Sequence, residues 1–332
     1  IQNREYVEKG NKDGEERMFN VLTLSVNAWY CFYRIRIKVC FGHFRWGFLR
    51  EISVYSFWIF LDSIVSHFYS SVGQIVLGIY RGATTVAIYA LAIQLKSLFT
   101  SFSTALNSVL LPKVTALAAR EGTENEISDL FIRVGRLQYF VMSFILVGFI
   151  IFGKEFIILW GGEDYVQTYY ITLIIMIPFF FDLISNVGIV VLQAKDKLKY
   201  RSAPMIMISL IGLMLTFPFA NYFGIYGCAC AISISIFVSN VLVSNFVFYK
   251  IAEIDVVMYW KQVMRMSLFP LFVIAFCFCL KFYISIISVF DLCVSILAFS
   301  AIYVLINFII NMNDQEKSQV FGLIRKVNIK LF

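Results

Sequence analysis

The chain has 332 residues, of which 60% are hydrophobic and only 15% are charged, and its mean hydropathy is +0.79. This composition excludes an ordinary soluble domain and indicates an all-α polytopic membrane protein. The formal net charge of +7 does not indicate a nucleic-acid-binding surface, because the lysines and arginines lie in short segments between apolar runs rather than in one patch.

The seven cysteines give no sign of a metal centre. Cys228 and Cys230, like Cys277 and Cys279, form C-x-C pairs inside apolar runs, without a histidine or a second thiol pair at zinc-site spacing. We interpret them as small apolar packing residues and expect neither a metal nor a cofactor.

The first part of the chain is charged and its structure is weakly specified by the sequence. The chain begins with Ile1, and residues 1–17 show no signal-peptide pattern, so we expect an N-terminal truncation. Residues 18–33 form a marginal span, which is short and interrupted by Asn27, and a basic stretch follows at 34–50.

Two long apolar runs follow back to back, at 57–80 and 84–112, joined by the short turn 81–83. Each is long enough for a transmembrane helix, which needs about 20 residues to cross roughly 30 Å of hydrocarbon. At about 100° per residue, the polar residues of each run fall on one side of its helix. They are Asp62, Ser63, Ser66, His67, Ser70, Ser71 and Gln74 in the first run, and Lys96, Thr100, Ser103, Thr104 and Asn107 in the second.

These two polar faces predict one wall of a transport pathway. A charged side chain near the bilayer centre costs about 2.5–3.5 kcal/mol on insertion scales, so Asp62 and Lys96 should face other helices or a water-filled cavity. The alternative interpretation is helix packing, since Ser, Thr and Gly line many dry helix interfaces.

The remaining spans alternate with loops of different charge. We predict an amphipathic helix on the membrane face at 113–138, a second amphipathic linker at 250–266, and about nine spans in total. Lysine and arginine concentrate in every second loop, which predicts that these basic loops and the C-terminus are cytoplasmic. The later spans are 139–160, 171–194, 203–222, 225–249, 268–284 and 289–310; the basic loops are 34–50, 113–136, 195–201, 250–265 and 317–330.

Several stretches together resemble the polysaccharide-repeat (O-antigen type) flippases of the multidrug, oligosaccharidyl-lipid and polysaccharide (MOP) exporter superfamily. The resemblance covers roughly residues 45–255 and depends on order and spacing rather than on one motif. The stretches are YSFWIFLDSIV, GQIVLGIYRGATTVAIYALA, SVLLPKVTALAA, FGKEFIILWGGEDY, LQAKDKLKYR and FGIYGCACAISI.

The resemblance implies two six-helix bundles around a central cavity, with two extra C-terminal helices. On that scheme, residues 1–50 hold the last helix of a missing first bundle and a basic cytoplasmic linker. Residues 51–250 form the second six-helix bundle, and residues 251–332 hold the amphipathic linker, the extra pair and a basic tail.

The function implied is that of a flippase, not an enzyme, which moves an undecaprenyl-pyrophosphate-linked oligosaccharide across the bacterial inner membrane. Cations would bind the pyrophosphate, and hydroxyl and amide groups would bind the sugar. A lipid-facing slot would hold the polyprenyl tail. The expected substrate-pathway residues are Lys96, Ser63, Ser71, Gln74, Thr100, Ser103, Asn107 and Asn186.

Such a carrier needs coupling to a proton or cation gradient, and we expect Asp62, His67 and Asp182 to be the candidate coupling sites. Asp182 lies mid-span, four residues after Pro178. The alternative for Asp182 is a structural hydrogen bond between helices. The expected partners are the polyprenyl-linked oligosaccharide, the coupling ion, membrane lipid and a polysaccharide polymerase.

Two other functions remain open. A multidrug or toxin antiporter of the same superfamily predicts a smaller, more acidic and more aromatic cavity, which Lys96 disfavours. A membrane glycosyltransferase or polysaccharide polymerase would need large outer loops carrying paired carboxylates or arginine clusters, whereas the outer loops predicted here are short.

Overall fold

The computed structural model describes residues 29, 46–119, 124–281 and 288–310, and within them every regular element is helical. The chain divides into a unit of residues 1–53 and a main unit of residues 54–332, and the packing below is that of the main unit. The helices are α1 (Trp46–Arg81), α2 (Ala83–Ala119), α3 (Glu124–Gly161), α4 (Val166–Ile184), α5 (Val187–Ala194), α6 (Lys199–Ile236), α7 (Ser244–Lys250), α8 (Val256–Lys281) and α9 (Val289–Ile310).

Two short irregular elements complete the main unit. A 3₁₀ turn at Glu163–Tyr165 joins α3 to α4, and a π-helical segment at Phe237–Val243 joins α6 to α7 without a break in the chain's helical path. A π-helical turn contains one residue more than an α-helical turn, and such segments occur frequently at functional sites.

Six helices of the described chain are long and apolar enough to cross a membrane, so the protein is a multi-pass membrane protein. They are Ala83–Ser108, Asn125–Gly161, Glu163–Ile184, Lys199–Lys250, Val256–Cys279 and Val289–Ile309.

The predicted count of nine spans is not confirmed. The predicted span at 18–33 lies outside the described residues. Helix α1 is long enough to cross a membrane, but it carries many polar side chains and is not one of the six apolar helices. The helical stretch Lys199–Lys250 contains both of the spans predicted at 203–222 and 225–249. The two are separated by a bend at Gly224, whose φ of 63° and ψ of −140° only glycine adopts readily.

Neither the predicted surface helix at 113–138 nor the predicted amphipathic linker at 250–266 is a separate element among the described residues. Residues 124–138 are the first turns of α3, and residues 256–266 are the first turns of α8. Their apolar sides are buried against each other, with the rings of Phe131 and Tyr259 4.8 Å apart. Burial in the protein core therefore explains the amphipathic pattern that we interpreted as contact with the membrane surface.

The core consists of three clusters. One joins α1, α2, α4 and α6 around Tyr89; a second joins α3, α4, α5, α7 and α8 around Tyr259; and a third joins α3, α8 and α9 around Phe299. Cys228 is fully buried in the first cluster, as a packing residue would be, whereas Cys279 and Cys293 are exposed.

Contacts between turns define the two ends of the main unit. At one end, Arg81 Nη2 donates to the carbonyl oxygen of Asn221 at 2.9 Å, which joins the α1–α2 turn to the bend of α6. Elsewhere, Lys195 and Lys197 donate through Nζ to the carbonyl oxygens of Ala252 and Ile251, each at 3.0 Å. Each contact joins two segments that the charge pattern assigns to the same side of the membrane.

We predict that Arg45, Lys197 and Lys261 face the cytoplasm and that Glu163 faces outside, because lysine and arginine are retained on the cytoplasmic side during insertion. Single cysteines at these positions, in a background without the native cysteines, should react with a membrane-impermeant maleimide accordingly. In intact cells only the residue 163 variant should be labelled, and permeabilised cells provide the control. Labelling of 197 and 163 from the same side would contradict the predicted number of crossings between them.

Candidate functional site

An open surface pocket of about 360 Å³ lies along one side of α2 and is lined by this helix alone; we call it the groove. Its lining is Lys96, Ser97, Thr100, Ser101, Thr104, Ala105 and Ser108. The hydroxyls of this surface donate to backbone carbonyl oxygens one turn earlier: Thr100 to Lys96 at 3.0 Å, Ser101 to Ser97 at 2.9 Å and Thr104 to Thr100 at 3.1 Å. Because each hydroxyl hydrogen is used inside the helix, the oxygen lone pairs remain as acceptors for a ligand that carries donors.

Lys96 supplies the positive charge of the groove. Its Nζ lies 3.9 Å from the centroid of the Phe179 ring on α4, a distance typical of a cation–π contact. Lys96 is also attracted by the carboxylate of Asp182, one turn further along α4. The ring of Phe179 thus holds the ammonium group between the groove and a carboxylate.

Asp182 lies where α4 is about to end. The helix stops at Ile184, a turn at 185–186 follows, and α5 begins at Val187, so the predicted continuous span at 171–194 is broken. The Ser185 hydroxyl donates to the carbonyl oxygens of Phe181 and Asp182, each at 3.1 Å, which satisfies carbonyl groups at the helix end.

The Asp182 carboxylate faces the π-helical segment. Asn240 Nδ2 donates to Asp182 Oδ2 at 3.1 Å, and Asn240 Oδ1 accepts from the Ser239 hydroxyl at 2.9 Å. A helix end therefore meets a π-helical turn at the carboxylate. Irregular backbone at membrane depth is tolerated where it is buried in protein or lines a cavity, and is typical of transporter sites.

Asp62 forms an ion pair with Arg201, a residue that the sequence analysis assigned to a basic loop. Arg201 Nη1 lies 3.2 Å from Asp62 Oδ2, and Arg201 Nε donates to the Ser244 hydroxyl oxygen at 2.9 Å. Arg201 is in the first turn of α6 and only 3% exposed. This side chain joins α1, α6 and α7.

The two carboxylates belong to one electrostatic cluster. Asp182 is attracted by both Arg201 and Lys96 and repelled by Asp62. With two carboxylates and two cations the cluster is formally neutral, which reduces the cost of burying its members in a low-dielectric environment. We call Asp62, Lys96, Asp182 and Arg201 the charge cluster.

The other predicted site residues lie at different distances from this cluster. On α1, Ser63, His67 and Ser71 are exposed and Gln74 is partly exposed, so the predicted polar face is open as a whole. Asn186 is partly exposed in the turn between α4 and α5. Among the described contacts, none brings His67 to the charge cluster.

The open face of α2 is rotated from the predicted one. Ser103 is fully buried and its hydroxyl oxygen accepts a hydrogen bond from Gln138 Nε2 on α3. Asn107, although partly exposed, is not among the groove residues, whereas Ser97, Ser101 and Ser108 are. Sequence periodicity identified the polar side of the helix but missed these three serines, because it does not show where the neighbouring helix α3 packs.

An apolar pocket of about 340 Å³ lies between α3, α8 and α9. Its walls are mostly aromatic and aliphatic side chains: Ile151, Phe152, Phe269, Phe272, Val273, Phe276, Cys277, Ser295, Ala298, Phe299, Ile302, Tyr303 and Ile306. Such a surface suits a hydrocarbon chain and offers little to a polar ligand.

Comparison with known proteins agrees with the resemblance found in the sequence. Residues 18–170, just under half of the chain, match the model of a family described as polysaccharide biosynthesis protein. No curated protein and no solved structure matches the chain. The matched segment includes α1, the groove helix α2 and α3, and thus two members of the charge cluster, Asp62 and Lys96.

The geometry predicts different consequences for two neighbouring hydroxyls of α2. Ser103→Ala removes the acceptor of the buried Gln138 amide, which should lower the free energy of unfolding by about 1–3 kcal/mol. Thr104→Ala is the matched control, because Thr104 is exposed and its hydroxyl bonds only to its own helix. Thermal unfolding of detergent-solubilised protein measures both. Equal stability of the two variants would contradict a packing role for Ser103.

Proposed function

We propose that this chain, which carries the pattern of a polysaccharide biosynthesis protein over residues 18–170, acts as a flippase for a polyprenyl-diphosphate-linked oligosaccharide. The substrate expected in bacteria is the undecaprenyl-pyrophosphate-linked repeat unit, moved from the inner to the outer leaflet of the inner membrane. The protein is then a carrier and not an enzyme. The observation that carries the proposal is the groove of α2, which combines one ammonium group with a row of hydroxyl acceptors in a membrane helix.

The groove suits the head group of such a substrate. An ammonium group provides charge-assisted hydrogen bonds to diphosphate oxygens. The hydroxyl oxygens of Thr100, Ser101 and Thr104, whose hydrogens are engaged within the helix, can accept hydrogen bonds from sugar hydroxyls.

The apolar pocket between α3, α8 and α9 suits the other end of the same substrate. Its walls are almost entirely hydrocarbon, with phenyl rings from all three helices, among them Phe152, Phe272 and Phe299. A polyprenyl chain of stiff isoprene units can fill such a pocket by dispersion contacts. A carrier with both features holds an amphipathic substrate with its polar and apolar parts in separate environments.

The drug or toxin antiporter is less well supported. It would present its carboxylates and aromatic rings to a cationic ligand. Here Asp62 is engaged by Arg201 and Asp182 by Asn240, while the groove is lined by a cation, Lys96. A polymerase or glycosyltransferase gains no support from the described outer turn at 162–165, which is short.

Gradient coupling is the second part of the proposal, with a proton or a cation as the coupling ion. Asp182 is the preferred candidate because it lies at a helix break beside the π-helical segment, where a change of charge can alter the backbone. Asp62 and the exposed His67 are the other candidates. A polysaccharide polymerase is the expected partner on the product side, and a cytoplasmic C-terminus is part of the same scheme.

Replacing Lys96 should separate head-group binding from folding. In vesicles containing the full-length protein, Lys96→Gln should abolish transport of the lipid-linked oligosaccharide, because the diphosphate loses its charge partner. Lys96→Arg should keep part of the activity, since a guanidinium group also binds diphosphate and stacks on Phe179. Lys154→Gln is the control, because Lys154 is an exposed lysine of α3. Full transport by Lys96→Gln would contradict the assignment.

Replacing Asp182 should test coupling. Asp182→Asn keeps the size of the side chain and can still bond to Asn240, but it cannot carry a proton or neutralise a bound cation. We expect the variant to fold, to lose transport driven by an imposed gradient, and to retain downhill exchange of substrate. Gradient-driven transport at the wild-type rate would leave Asp182 with the structural role alone.

A further inference from the structure

The charge cluster contains one arginine and two carboxylates from different helices, and the hydrogen-bond partners of Arg201 and Asp182, Ser244 and Asn240, lie four residues apart. Arg201 forms its ion pair with Asp62 of α1, yet it also attracts Asp182 of α4. Asp62 and Asp182 repel each other. Two like charges in a low-dielectric environment compete for a common counter-ion, and the guanidinium group, which stays charged, must remain close to one of them.

The π-helical segment and the first turn of α7 hold Arg201 and Asp182 apart. Asn240 donates to Asp182, and Ser244, four residues later, accepts from Arg201 Nε. One continuous stretch of backbone thus binds the carboxylate with one residue and the guanidinium with another. When a π-helical turn converts to an α-helical turn, the turn becomes one residue shorter. The residues before it then rotate by about 100°, which is the rotation per residue of an α-helix. Such a rotation would withdraw Asn240 from Asp182.

Asp62 is only partly satisfied in the observed arrangement. Its Oδ1 is buried without a hydrogen-bond partner among the described residues, and so is the hydroxyl oxygen of Ser202. Ser202 lies close enough to Asp62 to interact with its carboxyl group. The Ser202 hydroxyl already lies beside Asp62, and it can become the main donor to this carboxylate when Arg201 leaves.

We propose that Arg201 is a shared counter-ion that exchanges between Asp62 and Asp182, and that the π-helical segment determines which carboxylate holds it. In the observed state Arg201 is paired with Asp62, and Asn240 donates a hydrogen bond to Asp182. In the other state Arg201 replaces Asn240 on Asp182, and Ser202 donates to Asp62. The exchange itself does not depend on the proposed transport function. Only its role, which is to link two conformations of the carrier, rests on that function.

The exchange also connects the charge cluster to the groove. In the observed state Asp182 attracts Lys96, which lies over Phe179. When Arg201 neutralises Asp182, Lys96 is released to bind an anionic head group. Arg201 is accordingly a positioning residue, acting on the substrate through Asp182 and Lys96 without touching it.

A thermal double-mutant cycle on the detergent-solubilised chain tests the exchange without any substrate. Asp62→Asn and Asp182→Asn each leave Arg201 one carboxylate, so each single variant should lose little melting temperature. The double variant leaves the buried guanidinium without a carboxylate, and its loss should exceed the sum of the single losses by roughly twofold or more. Adding Arg201→Gln to the double variant should recover most of the loss. The proposal would be overturned if Asp62→Asn alone lowered the melting temperature as much as expected for the double variant, and if the effects of Asp62→Asn and Asp182→Asn on the melting temperature were additive.

A distance measurement follows the exchange directly and remains usable if the double variant does not fold. Spin labels at the exposed positions Ile177 on α4 and Leu242 on the π-helical segment report the contact between Asp182 and Asn240. Asp62→Asn should add a second distance population, because Arg201 then displaces Asn240. That population should disappear in Asp62→Asn/Arg201→Gln.

The two results distinguish this inference from the proposed function. An unchanged distance distribution in Asp62→Asn, or a second population that persists without Arg201, would overturn the exchange and leave the Lys96 experiment unaffected. Loss of the Lys96 effect on transport would overturn the proposed function, while the substrate-free measurements on Arg201 would keep their meaning.

Discussion

The structure depends on the requirement that charges inside an apolar helix bundle be compensated. Arg201 is 3% exposed, and its contacts with Asp62 and Ser244 join α1, α6 and α7. Breaking a buried ion pair on one side typically costs about 3–5 kcal/mol, a large part of a protein's net stability. The charge cluster therefore links α1, α2, α4 and α6, and it cannot change one partner without changing another.

Compensation also explains how polar chemistry coexists with the membrane. The carboxylates are directed at internal partners, and the ammonium group of Lys96 lies on an aromatic ring at the edge of a hydroxyl-lined groove. The apolar pocket between α3, α8 and α9 has almost no polar surface. A substrate with an anionic, hydroxyl-rich head and a hydrocarbon tail would find each part matched, and we therefore propose a lipid-linked oligosaccharide rather than a cationic drug.

The sequence predicted the class of fold and the polar helices, and the reasons for its errors are physical. Hydrophobic runs and turn residues located the spans, and Gly224 marked the bend of α6. The π-helical segment was not predicted, because a projection at 100° per residue assumes that the whole run is α-helical. Arg201 was assigned to a loop because counting charges does not distinguish a solvated arginine from one in the first buried turn of a helix. The need of Asp62 for a partner inside the bundle was the signal that could have identified Arg201.

Ser103 and Thr100 lie on the same polar side of α2 by periodicity. Only the packing of Gln138 against Ser103 distinguishes the buried hydroxyl of Ser103 from the more open hydroxyl of Thr100.

We propose that the groove binds a diphosphate through Lys96, and this can be measured as equilibrium binding of a short-chain prenyl diphosphate to the chain in lipid nanodiscs. Farnesyl diphosphate should bind more tightly than farnesyl monophosphate, and farnesol should bind weakly, with the difference between the diphosphate and the alcohol largely lost in Lys96→Gln. Equal affinities for the diphosphate and the alcohol, or a preference for the diphosphate that survives in Lys96→Gln, would contradict the account.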